Sequence, residues 1–314
     1  MRLPLKKTGE VMKKRMSTSD IMKRVTDLVV EALDKDICPW IKPWDDVGTS
    51  PYNFESKHIY KGSNVWMLNA VQMSRGYKHN AWVTFNGAKK CGGAVKKGEK
   101  SVPVVYWNFV KKEVEQDGVT VEKTIPFLKY FSVWNIEQCG IEVETEELPQ
   151  SEPLPSAEKV ISNYVAREEG LTFDEVEGNR ACYIPSSDKI IVPTMAQAIK
   201  KALDVGQTKK DGTQHHYSTC FHEMVHSTGH KSRLAREGIV ATNYFGSHEY
   251  SKEELVAEMG SAVMCTKLGL SSERVMENTK AYCKSWASKL KSEPSWIVWA
   301  SSRSEKAVNY ILGE

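Results

Sequence analysis

Hydrophobic positions recur every three or four residues in the segment that begins at Ser19, SDIMKRVTDLVVEAL. The apolar residues of this segment are Ile21, Val25, Leu28, Val29 and Leu33. This spacing predicts an amphipathic helix with these residues on one face, and Ser19 is a suitable N-cap. The sequence Pro-Trp-Ile-Lys-Pro-Trp at 39–44 ends the helix, because proline lacks the amide hydrogen and restricts the residue before it.

Alternating or β-rich patterns are typical of the next hundred residues. The pattern predicts a second helix at 64–74 and strands at 81–85, 102–110, 119–124 and 129–135. The first part of the chain is therefore predicted to be a mixed α/β domain.

An acidic segment with three prolines at 142–156 is the clearest linker in the chain. It predicts two domains, at 19–141 and 157–314, preceded by a flexible basic tail at 1–18. A chain of 314 residues is long enough for two domains that each bury a core. The predicted fold class is α+β with two domains.

The second half alternates between helical and strand-like patterns. We expect a short strand pair at 180–184 and 190–192, and helices at 157–168, 193–203, 215–229, 252–267, 271–290 and 303–312.

Charge is distributed unevenly along the chain. Residues 1–141 contain 23 Lys+Arg and 15 Asp+Glu, a net of +8, and 142–314 contain 20 and 25, a net of −5. A basic half joined to an acidic half indicates a polyanionic partner for the first half, although basic surface also serves solubility. No apolar stretch approaches the roughly 20 residues of a membrane span. Seven cysteines without a Cys-x-x-Cys pair are typical of reduced thiols, so we expect a cytoplasmic protein with no membrane association.

The strongest chemical pattern is His222-Glu223-x-x-His226. On a helix, positions i and i+4 share one face, so both imidazoles can bind one metal ion. Glu223 lies within reach of a water at that ion and is the candidate general base. The pattern favours zinc, although Mn²⁺ or another divalent ion suits the same residue types.

A third ligand is expected on the helix that follows. Glu254 is the preferred candidate, and Glu258, one turn later, is expected to accept a hydrogen bond from a ligating imidazole. Glu258 or His230 remains an alternative ligand, whereas Glu253 points about 100° away from the shared face. These acids could instead be ordinary first-turn residues stabilised by the helix dipole. The histidines at 215–216 are expected to face solvent.

Aromatic and cationic residues alternate in the basic half, as in proteins that bind single-stranded nucleic acid. The candidate DNA-binding residues are Trp40, Lys42, Trp44, Tyr60, Lys61, Asn64, Lys96, Lys97 and Lys100. The alternative is that the aromatic residues form core. For Trp66, Trp82, Trp107 and Trp134, which lie in helix or strand patterns, core is the preferred interpretation.

Longer motifs make the chain resemble the ArdC family of antirestriction proteins along nearly its full length. The N-terminal half carries Pro39-Trp40-x-x-Pro43-Trp44, Tyr60-x-Gly62-x-Asn64 and Gly92-Gly93-x-Val95-x-Lys97-Gly98-Glu99. The C-terminal half carries His222-Glu223-x-x-His226-x-Thr228-Gly229-His230, Arg233-Leu234-x-Arg236 and Tyr250-x-x-Glu253-Glu254-Leu255-x-Ala257-Glu258. The family commonly has tryptophan after the second metal histidine, where this chain has Ser227.

The resemblance implies an N-terminal single-stranded DNA-binding domain and a C-terminal zincin-like metallopeptidase domain. It also implies a protein of plasmids, phages or other mobile elements that protects incoming DNA from restriction. Two alternatives remain open: a metalloprotease that acts on DNA-bound or host defence proteins, and a DNA-binding protein whose metal is purely structural.

Overall fold

The computed structural model describes residues 17–41, 50–116, 119–142, 156–241, 248–270 and 279–314. Helices and strands are mixed through both halves, so the predicted α+β class is confirmed. Some sequence predictions lie outside the described residues, namely those for 1–16, Lys42, Trp44, 143–155 and 271–278.

In the part of the N-terminal half that the structure describes, three α-helices lie around a four-stranded sheet of order β1-β2-β4-β3. The helices are α1 (Thr18–Leu33), α2 (Ser63–Arg75) and α3 (Phe85–Lys90). The strands are β1 (Tyr52–Asn53), β2 (Ala81–Thr84), β3 (Val102–Gln116) and β4 (Val119–Asn135). Strand β1 is parallel to β2, and the other neighbours are antiparallel.

Two details differ from the sequence prediction. Helix α1 is capped by Ser17, which forms a reciprocal capping box with Asp20, and not by Ser19. The two strands predicted at 119–124 and 129–135 are one continuous strand, which pairs with β3 along its whole length. Pro126 stays within this strand, opposite Phe109, where periodicity alone suggested an interruption.

The C-terminal half contains seven helices and a three-stranded sheet of order β5-β7-β6 within the described residues. The strands are β5 (Thr172–Val176), β6 (Cys182–Ile184) and β7 (Lys189–Pro193). The helices are α4 (Ala157–Arg167), α5 (Met195–Asp204), α6 (Lys209–Ser227), α7 (Glu237–Val240), α8 (His248–Lys267), α9 (Thr279–Ser292) and α10 (Trp296–Leu312). The sequence prediction missed β5 and started α6 and α10 too late.

The two halves share a continuous apolar core that runs from α1 to α10. The Trp40 and Trp286 rings meet edge to face at 6.2 Å, and the Trp40 indole nitrogen donates to the Tyr282 hydroxyl at 3.1 Å. Thr26 Oγ1 donates to the Pro294 carbonyl at 2.5 Å. Separating the halves would therefore expose apolar surface on both. None of the described helices has the length and apolar character needed to cross a membrane.

Candidate metal centre

Helix α6 holds the two predicted metal histidines. Its N-terminus is fixed by a capping box between Thr208 and Asp211, and its last two turns are buried. His222 and His226 are each 7% exposed. Their Nε2 atoms are only 3.1 Å apart, which is the arrangement that i, i+4 spacing predicts.

Helix α8 brings Glu254 to the same point. One Glu254 carboxylate oxygen lies 3.5 Å from His222 Nε2, and the other lies 3.3 Å from His226 Nε2. The helices approach closely because residue 260 is glycine: a Cβ there would lie 2.7 Å from a Val225 methyl carbon. The glycine thus permits the interhelical distance on which the cluster depends.

The spacing of these three side chains fits one divalent metal ion. Their ligand atoms all lie within 4.8 Å of one another, and no other group of this kind occurs among the described residues. A tetrahedral ion with ligand distances of about 2.0–2.1 Å separates its ligands by about 3.3–3.4 Å. The observed separations of 3.1, 3.3 and 3.5 Å match this value.

A buried ion pair fixes the orientation of His226. The Nδ1 atom of His226 lies 3.3 Å from Glu253 Oε1, so the other ring nitrogen, Nε2, faces Glu254. Arg236 donates to both oxygens of Glu253, at 3.0 Å from Nε to Oε2 and 2.6 Å from Nη2 to Oε1. It also donates to Thr228 Oγ1 and to the Val225 carbonyl, each at 2.6 Å. Hydrogen bonds of this kind set the tautomer and direction of a ligating imidazole.

The sequence prediction gave that supporting role to Glu258, and the structure gives Glu258 a lesser one. Glu258 Oε1 lies 3.9 Å from His222 Nδ1, which is beyond a direct hydrogen bond. Glu253, which the sequence placed about 100° from the face of Glu254 and made the weaker ligand candidate, lies outside the ligand cluster but is 1% exposed and contacts the second histidine directly. Periodicity could not show this because α8 is buried around most of its circumference. The available sequence signal for a buried acidic partner was Arg236, the second arginine of the Arg-Leu-x-Arg motif.

Negative charge dominates the electrostatics of the cluster. Burial lowers the pKa of His226, but hydrogen bonds with Glu253 and Glu254 outweigh it and raise the pKa to about 10. Burial raises the pKa of Glu254, but hydrogen bonds with His222 and His226 hold it well below its usual range. Burial raises the pKa of Glu253, but the Arg236 charge together with hydrogen bonds from His226 and Arg236 outweighs burial and lowers the pKa below its usual range. Carboxylates that stay ionised at this point attract a cation.

The cluster opens into a cavity of about 790 Å³. Glu223 lines it and interacts electrostatically with His226 and Tyr250. Burial and the neighbouring Glu254 carboxylate raise the pKa of Tyr250, so its hydroxyl stays protonated. Apolar lining comes from Ile239 and its neighbours in α7, and residues of strand β6 also line the cavity. The cavity thus presents a carboxylate, a hydroxyl and a strand beside the metal ligands.

A second buried arginine ties β6 to the end of α6. Arg233 Nε donates to the Ser227 carbonyl at 2.7 Å, and its other nitrogens bind both Asp188 oxygens and the Tyr183 hydroxyl. His230, the alternative ligand, lies outside the converging group, with Nδ1 2.7 Å from Ser232 Oγ. The two arginines of the motif therefore fix the sheet and α8 against one helix end.

Two further expectations for α6 are settled by burial. His216 is 4% exposed, with Nε2 3.5 Å from Cys220 Sγ, so the expectation that it faces solvent was wrong. Ser227, which stands where the family commonly has tryptophan, is fully buried. Its hydroxyl lies 2.9 Å from the Tyr164 hydroxyl of α4, so a tyrosine from another helix fills the space beside the second histidine.

Three of the predicted DNA-binding residues are buried in the core. Trp40 is 1% exposed and is fixed against α9 by the contacts described above. Tyr60 is 2% exposed, and Asn64 uses its amide to donate to the Val105 carbonyl and accept from the Val105 amide, both at 2.8 Å. The two buried rings offer no free face to a base in this structure, and the Asn64 amide is already bonded to the backbone, so none of the three is placed as a DNA contact. The core interpretation of Trp66 and Trp82 is confirmed.

The predicted lysines have the opposite placement. Lys61, Lys96, Lys97 and Lys100 are all exposed. Lys96 Nζ donates to the Glu137 carbonyl at 2.9 Å, which fastens the loop that follows α3 to the end of the sheet. The basic loop is thus a structured surface feature of the N-terminal half.

Comparison with known proteins assigns both halves to described domain families. Residues 19–134 match the N-terminal domain of the anti-restriction factor ArdC, and residues 160–303 match the zincin-like metallopeptidase domain called MPTase-PolyVal. Two DNA primases TraC from Escherichia coli are each 31% identical over 92% of this chain. The chain spans only 19% and 27% of their lengths.

Solved structures give the same result over the whole fold. The metal-free crystal structure of the antirestriction protein ArdC from plasmid R388 is 30% identical, with a TM-score of 0.67. The match covers 93% of this chain and 96% of that one. The Mn(II)-bound structure of the same protein is 29% identical, with a TM-score of 0.66, and covers 93% and 97%. The manganese-bound relative and the zincin-like domain both support a divalent metal site in this chain.

Proposed function

This chain belongs to the ArdC family of antirestriction proteins, and we propose that it is a metal-dependent peptidase joined to a single-stranded DNA-binding domain. The proposed role is protection of the incoming DNA of a mobile element. The observation that carries the peptidase half is the convergence of His222, His226 and Glu254 within 4.8 Å, beside an acid in an open cavity. Zinc is the proposed ion because two imidazoles and one carboxylate, with a further position open, suit it best.

Each residue of the site has a distinct task in the proposed reaction. His222, His226 and Glu254 would hold a divalent ion, which would supply Lewis-acid polarisation of a substrate carbonyl and a lowered pKa for a bound water. Glu223 accepts the proton of that water and returns it to the amine of the leaving peptide. Glu253 and Arg236 hold His226 in its ligating orientation and take no part in the proton transfer.

The shape of the cavity supports a peptide substrate. Strand β6 lies at the edge of its sheet in the order β5-β7-β6, and residues 181–183 line the cavity. An extended peptide can pair with the outer edge of such a strand through backbone hydrogen bonds. This binding mode would place a backbone carbonyl beside the histidine–carboxylate cluster.

The peptidase proposal is tested on the full chain, loaded with zinc or with manganese. We expect fluorescein-labelled casein to be cleaved, and Glu223→Gln to lower the rate by at least about 100-fold while metal content is unchanged. Glu249→Gln is the matched control and should cleave like the parent, since the Glu249 side chain is 35% exposed and pairs with His248 and Lys252 rather than with the metal cluster. Retained cleavage in Glu223→Gln would remove the proposed base. Bound metal without cleavage of any substrate, together with unfolding on chelation, would favour a structural metal.

The role of the peptidase in protection is tested in cells. Transfer of unmodified plasmid DNA into a restricting host is measured with the parent protein and with Glu223→Ala. Loss of protection in the variant would favour a protease that acts on DNA-bound or host defence proteins. Unchanged protection would assign the function to DNA binding and make the peptidase auxiliary.

Binding of single-stranded DNA is supported by the net charge of +8 over 1–141 and by the exposed lysines. We expect a fluorescein-labelled oligothymidylate to bind the full chain more tightly than a duplex of equal length. The affinity should fall steeply as salt rises. Equal affinity for both forms, or none for either, would refute this half of the proposal.

A further inference from the structure

Two aromatic rings lie exposed and in contact where the β3–β4 hairpin leaves the sheet. Phe131 is 50% exposed and Tyr106 is 36% exposed. Val104 is opposite Phe131 in the register and Tyr106 is opposite Lys129, so the two rings are diagonal neighbours on one face. Their centroids are 5.7 Å apart and their planes meet at 71°. We call this pair, together with Lys129, the hairpin patch.

A hydrogen bond to a buried residue fixes the position of Tyr106. The buried Tyr60 hydroxyl and the Tyr106 hydroxyl are hydrogen-bonded, and Asn53 is hydrogen-bonded to Tyr60. Tyr106 is therefore held with part of its ring open to solvent. Single exposed apolar side chains are ordinary, whereas two aromatic rings in contact and held in place form a small surface that a ligand can cover.

The backbone around the hairpin patch leaves room for an elongated ligand. Strand β2 pairs with β4 only from Val133 to Asn135, so Phe131 lies just beyond the last shared position. From there to its tip, the hairpin is a two-stranded ribbon within the described residues. The patch thus lies at the junction of the ribbon and the sheet.

Positive charge adjoins the two rings. Lys129 is directly opposite Tyr106 in the strand register. Lys61 follows Tyr60, whose hydroxyl is hydrogen-bonded to Tyr106. Both lysines are exposed. Aromatic faces beside lysines suit single-stranded nucleic acid, because bases stack on the rings while phosphates meet the cations. In a duplex the base faces are covered by their neighbours.

We propose that Tyr106 and Phe131 are the base-stacking platform for single-stranded DNA, with Lys129 and Lys61 facing the phosphates. The two rings meet at a steep angle, so they receive two bases that have left a regular stack. This inference rests on the proposed DNA-binding function. It assigns the aromatic contacts to Tyr106 and Phe131 in place of the buried Trp40 and Tyr60. No residue of the metal centre takes part.

The test compares single variants of the full chain in the oligothymidylate anisotropy assay. We expect Phe131→Ala and Tyr106→Ala each to weaken binding on the order of tenfold, as loss of one base stack does. Tyr106→Phe keeps the ring and should stay within about twofold. Lys129→Gln should reduce the slope of log affinity against log salt by about 0.7.

The matched control is Phe85→Ala. Phe85 is 49% exposed in the same half of the chain, but it packs against Trp134 and under Lys89. Trp134 is three residues from Phe131 on β4, so its side chain and Phe85 lie on the opposite face of the sheet from the hairpin patch. Its removal should change affinity by less than about twofold. Thermal unfolding of each variant shows that the fold is retained, and sedimentation shows whether the patch joins two copies of the chain.

Each result supports the platform or overturns it. Weakening by Phe131→Ala and Tyr106→Ala, with Phe85→Ala unchanged, supports it. Parent-like binding by both alanine variants overturns the platform and leaves the DNA-binding function standing. Absence of binding by the parent protein removes both proposals. A dimer that Phe131→Ala dissociates, with DNA affinity unchanged, makes the patch an interface between copies.

Discussion

The metal ligands of the C-terminal half lie on two helices in direct contact, whereas the exposed cations and rings of the N-terminal half lie on a loop, a turn and a hairpin. His222, His226 and Glu254 are held by neighbours that are themselves buried. Lys61, Lys97 and Phe131 project from separate elements into solvent. One region brings three ligand atoms within 4.8 Å of one another, and the other offers a surface along which a flexible polymer can lie.

This difference follows from the ligand that each region would bind. A metal ion needs several lone pairs at about 2 Å, so small displacements of a ligand are costly. A single strand bound by stacking and phosphate contacts tolerates dispersed residues, since each contributes independently. Substitutions near the metal should therefore have large and coupled effects, and substitutions on the basic surface should have small and additive ones.

The largest effect is expected from Glu253→Ala. It would leave the Arg236 guanidinium buried without its partner and lower the free energy of unfolding by about 3–5 kcal/mol. It would also free the His226 ring and weaken metal binding by about 10- to 100-fold. Urea unfolding and competition with a chelator measure the two effects. Glu249→Ala on the same helix is the control, and parent-like stability of Glu253→Ala would show that the buried pair fixes nothing.

A smaller effect is expected from Gly260→Ala, which tests the helix contact behind the cluster. The added methyl group would clash with Val225 at 2.7 Å and cost about 1–3 kcal/mol of stability. In a Val225→Ala background the same change should cost less, because the clashing methyl groups are gone. Thermal unfolding of the four proteins measures the coupling. Equal costs in both backgrounds would mean that the helices adjust freely.

The same contrast explains what the sequence alone could predict. The His-Glu-x-x-His pattern encodes its geometry within one helical turn, so the positions of His222 and His226 followed from i, i+4 spacing. Glu254 required only that the next helix pack nearby. The role of Glu253 depended on a buried Arg236 that arrives from another segment, and no periodicity reveals such a partner.

The basic half was less predictable for the same physical reason. Whether an aromatic ring is core or surface depends on which element covers it, and Trp40 is covered by Trp286 from far along the chain. Tyr106 and Phe131 lie in segments predicted as ordinary strands, and strand alternation does not show that their face is left uncovered. Long-range packing therefore decided which of these rings are core and which are surface.

A pH-dependent effect is expected at the contact that holds the cavity wall. Burial raises the pKa of Asp188, but hydrogen bonds from Arg233 and Tyr183 outweigh it and lower the pKa below its usual range. A lowered pKa means that the stabilisation is complete above about pH 4 and is lost as pH falls through the folded-state value. Asp188→Asn should therefore cost about 1.5 kcal/mol at pH 7. The difference from the parent should shrink below about pH 4. Thermal unfolding between these pH values measures it, and a difference that grows towards acid would reverse the assignment.

The smallest effect is expected from single lysines of the basic loop. Lys97 is exposed in a segment bounded by Gly92 and Gly98, both with positive φ, so its removal disturbs no packing. Lys97→Gln should weaken oligothymidylate binding only a few-fold and lower the salt slope by about 0.7, the contribution of one phosphate contact. Lys201→Gln, an equally exposed lysine of the C-terminal half, should change neither value. If Lys97→Gln instead abolished binding, the basic half would depend on a fixed contact as the metal centre does, and the contrast between the two regions would fail. Equal changes of the salt slope in Lys97→Gln and Lys201→Gln would show that only overall charge matters. The basic loop would then not determine where the DNA binds.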